Sequence, residues 1–358
     1  MPHQFDKHNT KLTGLILFCS LLAGLSSLTN PAGAAETISA KTDTLIKQGI
    51  ILSIEQSYAD AEAIFVAMKR HAPESPAGYF FHAAVLQTRM MDVERYDQEK
   101  RFLALVDKTI RLARKQIKKD KRDAWAHFFL GGGYGYLAFY QAKQKKYWNA
   151  FQNAQKSVGA LERAVKIDST LYDAYLGIGS YKYYRSKLSR HLSWLPFVKD
   201  ERAEGIAMIK LAMTKSRYSH YSAVNGVSWI FVDEARYDEG LQLVESVLAD
   251  FPDSRVFLWC AAKITKKMQR WREAADYYER ILQSFEQQGI LSPYNELTCR
   301  KNLTMLYRRL EEVEKAEAEC AKVSAILADK EIQKKYPQAL KEIQQNCAHG
   351  SAELAGAE

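Results

Sequence analysis

Proline and glycine are scarce, at 8 and 18 of 358 residues, and 26% of the residues are charged. That balance is ordinary for a helix-rich soluble chain and far from the composition of disordered segments. The five cysteines form no Cys-x-x-Cys and no Cys/His cluster, so a zinc site is not expected. The sequence also lacks His-Glu-x-x-His, Gly-x-Ser-x-Gly and a dinucleotide fingerprint, and its eight histidines are scattered. No catalytic residue, cofactor or metal is nominated on this basis. No nucleic-acid reading motif is present either, which sets that partner aside. The one long apolar run, Leu12 to Leu25, is shorter than the roughly 20 residues that span a bilayer.

That run has the make-up of an export signal. Lys7 and Lys11 precede it, and Ala32-Gly33-Ala34 supplies the small residues that a signal peptidase reads. Residues 1–34 are therefore read as a signal peptide cleaved near Ala34, which places the mature protein in the periplasm or on the periplasmic face of a membrane. The formal net charge is +9, and cleavage leaves the chain basic, suited to meeting anionic surfaces.

The rest of the chain repeats. Tyr237-Asp238-Glu239-Gly240 returns as Trp271-Arg272-Glu273-Ala274, 34 residues later. Phe251-Pro252-Asp253-Ser254 between them stops one helix and starts another, and Leu258, Ala261, Ala262 and Thr265 follow at helical spacing. Tyr58, Ala61, Phe65, Met68 and Pro73 keep the same offsets as Tyr237, Gly240, Val244, Val247 and Pro252. A fixed period of this length marks stacked helical hairpins.

These residues resemble the tetratricopeptide-repeat (TPR) superfamily. Lys199 to Gly205 and Phe251 to Leu258 are also similar to its subgroup containing the eukaryotic inclusion-body clearance proteins, from which the fold alone is carried over. The resemblance implies an all-α, right-handed, TPR-like solenoid of about seven antiparallel helix pairs. Residues 35–214 are expected to form degenerate repeats with insertions, residues 215–346 regular repeats with a capping helix over Glu331 to Gln345, and residues 347–358 a disordered tail.

Along the chain, the spacing predicts helices over Leu45 to Arg70, Ala77 to Met91, Glu94 to Lys119, Ala124 to Gln141 and Tyr147 to Ile167. Gly131, Gly132, Gly133 and Gly135 cost helix stability, about 1 kcal/mol each, and so point to close packing of another backbone. A phosphate-cradling loop is set aside, since no strand precedes these glycines and no Gly-Lys-Ser/Thr follows. His127 beside them reads as a packed core histidine.

The resemblance also implies that the first helix of each pair lines a concave face. With Val224, Leu258 and Arg300 as equivalent positions, the inward residues include Asn225, Trp229, Trp259, Lys263, Lys266, Lys267, Lys301, Arg308 and Arg309, together with Val232, Asp233 and Met305. Cations there suit carboxylates, and tryptophan offers apolar area. The implied function is an exported, non-enzymatic scaffold or adaptor that binds an acidic peptide or protein partner in this groove.

A second reading uses Lys108, Arg111, Lys115, Lys118 and Arg122, cations at helical spacing, with Trp194 in the apolar loop His191 to Val198. Such a surface suits anionic membrane lipid or glycolipid; a solvated helix face is the bland alternative. Finally, Cys299 and Cys320 fall roughly level on the two arms of a hairpin turning near Leu310 to Glu312. They are expected either to form a disulfide or to remain two buried thiols.

Overall fold

The computed structural model describes residues 38–189, 199–336 and 347. The expected signal peptide, the Trp194 loop, most of the expected capping helix and the tail beyond Cys347 lie outside the described residues. Among the described residues every regular element is a helix: Ala40–Ile54 (α1), Tyr58–His71 (α2), Pro76–Val93 (α3), Glu99–Lys119 (α4), Ala124–Lys143 (α5), Tyr147–Ile167 (α6), Asp173–Ser189 (α7), Arg202–Lys215 (α8), His220–Asp233 (α9), Tyr237–Asp250 (α10), Arg255–Lys267 (α11), Trp271–Gln287 (α12), Pro293–Arg309 (α13), Val313–Leu327 (α14) and Lys330–Lys335 (α15). Consecutive helices pack as seven antiparallel hairpins, α1/α2 through α13/α14, with α15 following the last.

Local chemistry starts and stops these helices where the fold needs it. Ser75 with Pro76, and Ser292 with Pro293, pair an N-cap hydroxyl with a proline whose missing N–H is no loss in a first turn. Asp123 accepts from the Ala126 N–H at 2.8 Å and caps α5. At five hairpin turns the closing device is the same. Gln56, Lys145, Ala235, Gln269 and Glu311 adopt φ between 56° and 61°, and the next N–H reaches back to a carbonyl of the helix's last turn, as Arg236 does to Phe231 at 2.8 Å.

The first turn corrects the sequence reading. Leu45 to Arg70 is two helices, not one, because Gln56 takes the left-handed conformation and reverses the chain without proline or glycine. The glycine-rich α5 behaves nearly as expected. A Cβ on Gly131 would come 2.6 Å from Leu161 and 2.9 Å from the Ser157 carbonyl, and one on Gly132 would sit 2.5 Å from the Phe80 ring. Backbone meets backbone where α7 crosses α8. Gly179 and Gly205 face each other so closely that a Cβ on either would lie 2.5 or 2.6 Å from the other's carbonyl oxygen.

The solenoid curls until its first hairpins meet its last. Arg217 donates to Asp43 of α1 at 2.6 Å, Ser254 donates to the Ile54 carbonyl at 2.8 Å, and Asn295 donates to the Asp92 carbonyl at 2.7 Å. Ile54 joins the apolar core built by α9 to α14, while Tyr218 packs edge-on against Phe81 in the core of the N-terminal hairpins. Asp173, opening α7, accepts from the N–H groups of Arg217 and Tyr218 and from the Ser219 hydroxyl, each at 2.9 Å.

The disulfide expectation is also corrected. Cys320 is bridged to Cys347, with Cα atoms 6.0 Å apart, while Cys299 and Cys260 are buried free thiols. The reason is facing rather than level. Glu319, one residue before Cys320, is what α14 turns toward α13, and it accepts from Arg300 at 3.0 Å. One residue along a helix turns a side chain by about 100°, so Cys320 is directed aside and Cys299 into the apolar core.

Candidate interaction groove

The first helices of the last three hairpins are buried on most of their circumference. Along α11, only Val256, Trp259, Lys263, Lys266 and Lys267 escape full burial. The corresponding strip of α13 carries Tyr294, Thr298, Lys301, Met305, Arg308 and Arg309, and that of α9 carries Tyr221, Asn225, Trp229 and Val232. The helical period explains the selection. Residues at i, i+3 and i+4 share a face, and the opposite faces are taken by Leu258, Ala261, Ala262 and Thr265, or by Leu303, Thr304 and Tyr307.

The strips of α11 and α13 are in contact. Lys266 donates through Nζ to Asn302 Oδ1 at 2.6 Å, and Asn302 Nδ2 donates to the Thr298 carbonyl at 2.7 Å. Sequence reasoning passed over Asn302, a buried amide beside Lys301 whose partner lies on another hairpin. The Trp259 ring packs edge-on against Tyr278 of α12, with centroids 6.1 Å apart. Arg309 leaves the middle of the strip and holds its guanidinium 5.9 Å over the Trp271 ring, at the turn into α12. Asn225 keeps its side-chain oxygen buried with no hydrogen-bond partner, an acceptor on the α9 strip.

Arg300, used to set the register, belongs elsewhere. It is nearly buried and donates to Glu296 at 2.8 Å, Glu319 at 3.0 Å and Glu286 at 3.3 Å, so it clamps α13 to α12 and α14. Asp233, at the rim of α9, is paired with Lys187 at 2.5 Å. The strip thus presents aromatic rings and cations, with one carboxylate already matched from α7.

The basic helix α4 divides into two faces. Arg101 donates to Glu62 of α2 at 2.9 Å, Lys108 lies 5.7 Å over the Tyr79 ring of α3, and Lys115 pairs with Glu74. These residues recur every seven positions and fasten α4 to α2, to the α2–α3 connection and to α3. Arg111 pairs with Asp107 on its own helix at 2.8 Å, while Lys118, Lys119 and Arg122 stand exposed at the helix end. His127 is half-buried, its Nε2 3.3 Å from the Lys121 carbonyl, and burial pushes its pKa down. Among the described residues no group of three or more His, Cys, Asp or Glu side chains could hold a metal ion.

No protein-family model matches the sequence, and no curated protein matches it. Solved structures do. The Cut9–Hcn1 hetero-tetramer of APC/C aligns over 90% of this chain and 55% of that chain, with 13% identity and a TM-score of 0.52. The type IV pilus biogenesis factor PilW aligns over 70% and 97%, with 15% identity and a TM-score of 0.46. Yeast Tom70 aligns over 95% and 69%, with 12% identity and a TM-score of 0.41. At such identities a likeness speaks for fold alone, and the Cut9–Hcn1 alignment carries it. Together with the seven stacked hairpins, it shows this chain to be an all-α, TPR-like helical solenoid.

Proposed function

We propose that the protein is an exported scaffold or adaptor that holds an acidic peptide or protein partner against α9, α11 and α13. The observation that supports this reading most is the composition of the unburied strips: Trp229, Trp259, Lys263, Lys266, Lys267, Lys301, Arg308 and Arg309 lie on the faces that the neighbouring helices leave uncovered. Cations flanking tryptophan bind carboxylates by charge-assisted hydrogen bonds and apolar side chains by area. Recognition through such a surface requires no catalytic group, so binding is taken as its work. The Cys320–Cys347 bridge supports export, since disulfides persist in oxidising compartments.

The test is in-cell crosslinking and pull-down of the wild type beside a Lys263→Glu/Lys301→Glu/Arg308→Glu variant of unchanged helical content and melting. A partner captured by the wild type and lost on charge reversal supports the groove. The same partners in both samples would overturn it.

A second reading, adhesion to anionic lipid, draws on exposed Lys118, Lys119 and Arg122. Liposome flotation at low salt, with and without anionic lipid, separates the two. Binding that needs anionic lipid and is lost in Lys118→Glu/Lys119→Glu/Arg122→Glu would favour this second surface.

A further inference from the structure

A hydrogen-bonded chain of three ionisable side chains runs between α2 and α3. Lys69 Nζ lies 2.6 Å from His82 Nδ1, and His82 Nε2 lies 3.1 Å from Glu62 Oε2. The lysine side chain offers only donors when charged, so His82 Nδ1 must be the nitrogen with the lone pair. The ring proton then sits on Nε2 and is donated to Glu62. His82 thus faces the lysine nitrogen on one side and a carboxylate on the other. His82 is 2% exposed, so its ring is fixed by packing. Glu62 is fixed in turn by Arg101 at 2.9 Å and Arg89 at 3.3 Å. Lys69 is half-buried, so solvent still reaches the side chain at the end of the relay.

The surroundings make the Lys69 ammonium easier to deprotonate than that of an open lysine. Lys69 stands 5.6 Å from the centroid of the Tyr79 ring, which Lys108 approaches from 5.7 Å. Around it are Glu62 from α2, Tyr79, His82 and Arg89 from α3, and Arg101 and Lys108 from α4. Four of these six are basic and one is a carboxylate already shared with two arginines. Burial, then the charge of Arg101, pushes the Lys69 pKa down against the pull of Glu62. Nucleophile, base and orienting carboxylate in hydrogen-bonded sequence is the arrangement that activates a side chain for acyl transfer.

We propose that Lys69 is an acyl-acceptor site, activated by His82 and Glu62, for small activated acyl donors such as acyl phosphates. The Lys69 ammonium gives one proton to His82 Nδ1, and the imidazolium so formed is stabilised by Glu62. The amine lone pair attacks the acyl carbon, a C–N bond forms, and the C–O bond to phosphate breaks with its electron pair leaving on phosphate. Of the two protons lost from nitrogen, one is carried by the departing phosphate and the other passes from His82 to water. The product is a neutral amide, which removes one cation from this surface.

The probe is acetyl phosphate on the full mature chain at pH 8, with acetylation at each lysine followed in time by mass spectrometry. Lys69 is expected to react about tenfold or more faster than the exposed Lys118 and Lys145. In His82→Gln, and in Glu62→Gln, the Lys69 rate should fall toward theirs while theirs stay constant. The wild-type ratio stands even if a variant fails to fold. A Lys69 rate no higher than that of Lys118 and Lys145, or one unmoved by either folded variant, overturns the proposal.

Discussion

Arg255, wholly buried at the start of α11, donates to both carboxylate oxygens of Asp92 at the end of α3, from Nε at 3.0 Å and Nη2 at 2.6 Å. Two further donors are used by Ser284 at 2.7 Å and Gln288 at 3.0 Å, and its Cζ lies 4.3 Å from the Phe285 ring centroid. Asp92 also accepts from the Tyr58 hydroxyl at 3.0 Å. Every polar atom of the pair thus has a partner, as a buried ion pair requires. Because 163 residues separate the two, the pair fastens the second hairpin to the sixth.

Removing one member should cost far more than removing both. Asp92→Ala leaves a buried guanidinium without its counter-charge, an expected loss of about 3–5 kcal/mol. Asp92→Leu/Arg255→Met should lose much less. Urea unfolding of the variants checks this, and equal losses for the single and double changes would refute it.

Acid should loosen the first two hairpins and the contact of Asp43 with Arg217. Partial burial pushes Asp43 up, but hydrogen bonds from Arg217, Lys47 and Tyr218 outweigh it and bring its pKa down to about 2. The hydrogen bond from His82, helped by Arg101, holds Glu62 at about 2 against burial. Both carboxylates are depressed in the folded state, so the unfolded chain binds more protons as pH falls through 4. Their stabilisation is full above about pH 5 and is lost as pH drops toward 2. The urea midpoint should therefore fall steeply from pH 5 to pH 3 in the wild type, and less steeply in Asp43→Asn and in Glu62→Gln.

Much of this architecture can be read from residue spacing, and its exceptions have physical causes. The helix Tyr147–Ile167 and the uncovered strips of α11 and α13 follow from apolar periodicity, because burial of one face is decided locally. The turn at Gln56 leaves no such mark, since a left-handed glutamine looks like any helical glutamine. Spacing across a hairpin sets the level of Cys299 and Cys320 but not their facing. Asn302 and the Lys69 relay needed the fold itself, as did Arg255 with Asp92, because no local rule links side chains on different hairpins.

The left-handed turns offer a signed test. Ala235 holds φ of 56° on an exposed turn, where its Cβ crowds the backbone. Ala235→Gly should relieve this and raise stability by about 0.5–1 kcal/mol, net of the added freedom of the unfolded chain. Gly289, at φ of 64° with no atom near the place of a Cβ, gives the reverse, and Gly289→Ala should destabilise by a similar amount. Thermal melting of the two variants should move in opposite directions.

The cysteine assignment can be tested by alkylation. Burial pushes the thiols of Cys260 and Cys299 far above the ordinary range, so neither offers thiolate at neutral pH and neither is reached by reagent. Cys320 and Cys347 are protected by their bond. Native protein lacking residues 1–34 should therefore take up no iodoacetamide until a reductant is added, and then label at Cys320 and Cys347 while Cys260 and Cys299 wait for denaturant. The last hairpin should loosen at the same moment, because Cys347 packs with Leu297, Val323 and Leu327. Hydrogen exchange in α14 should rise on reduction, while α5 and α6, far along the solenoid, keep their protection. Peptide mapping that finds Cys299 joined to Cys320, or Cys299 labelled in the native reduced protein, would refute this arrangement of the C-terminal hairpin.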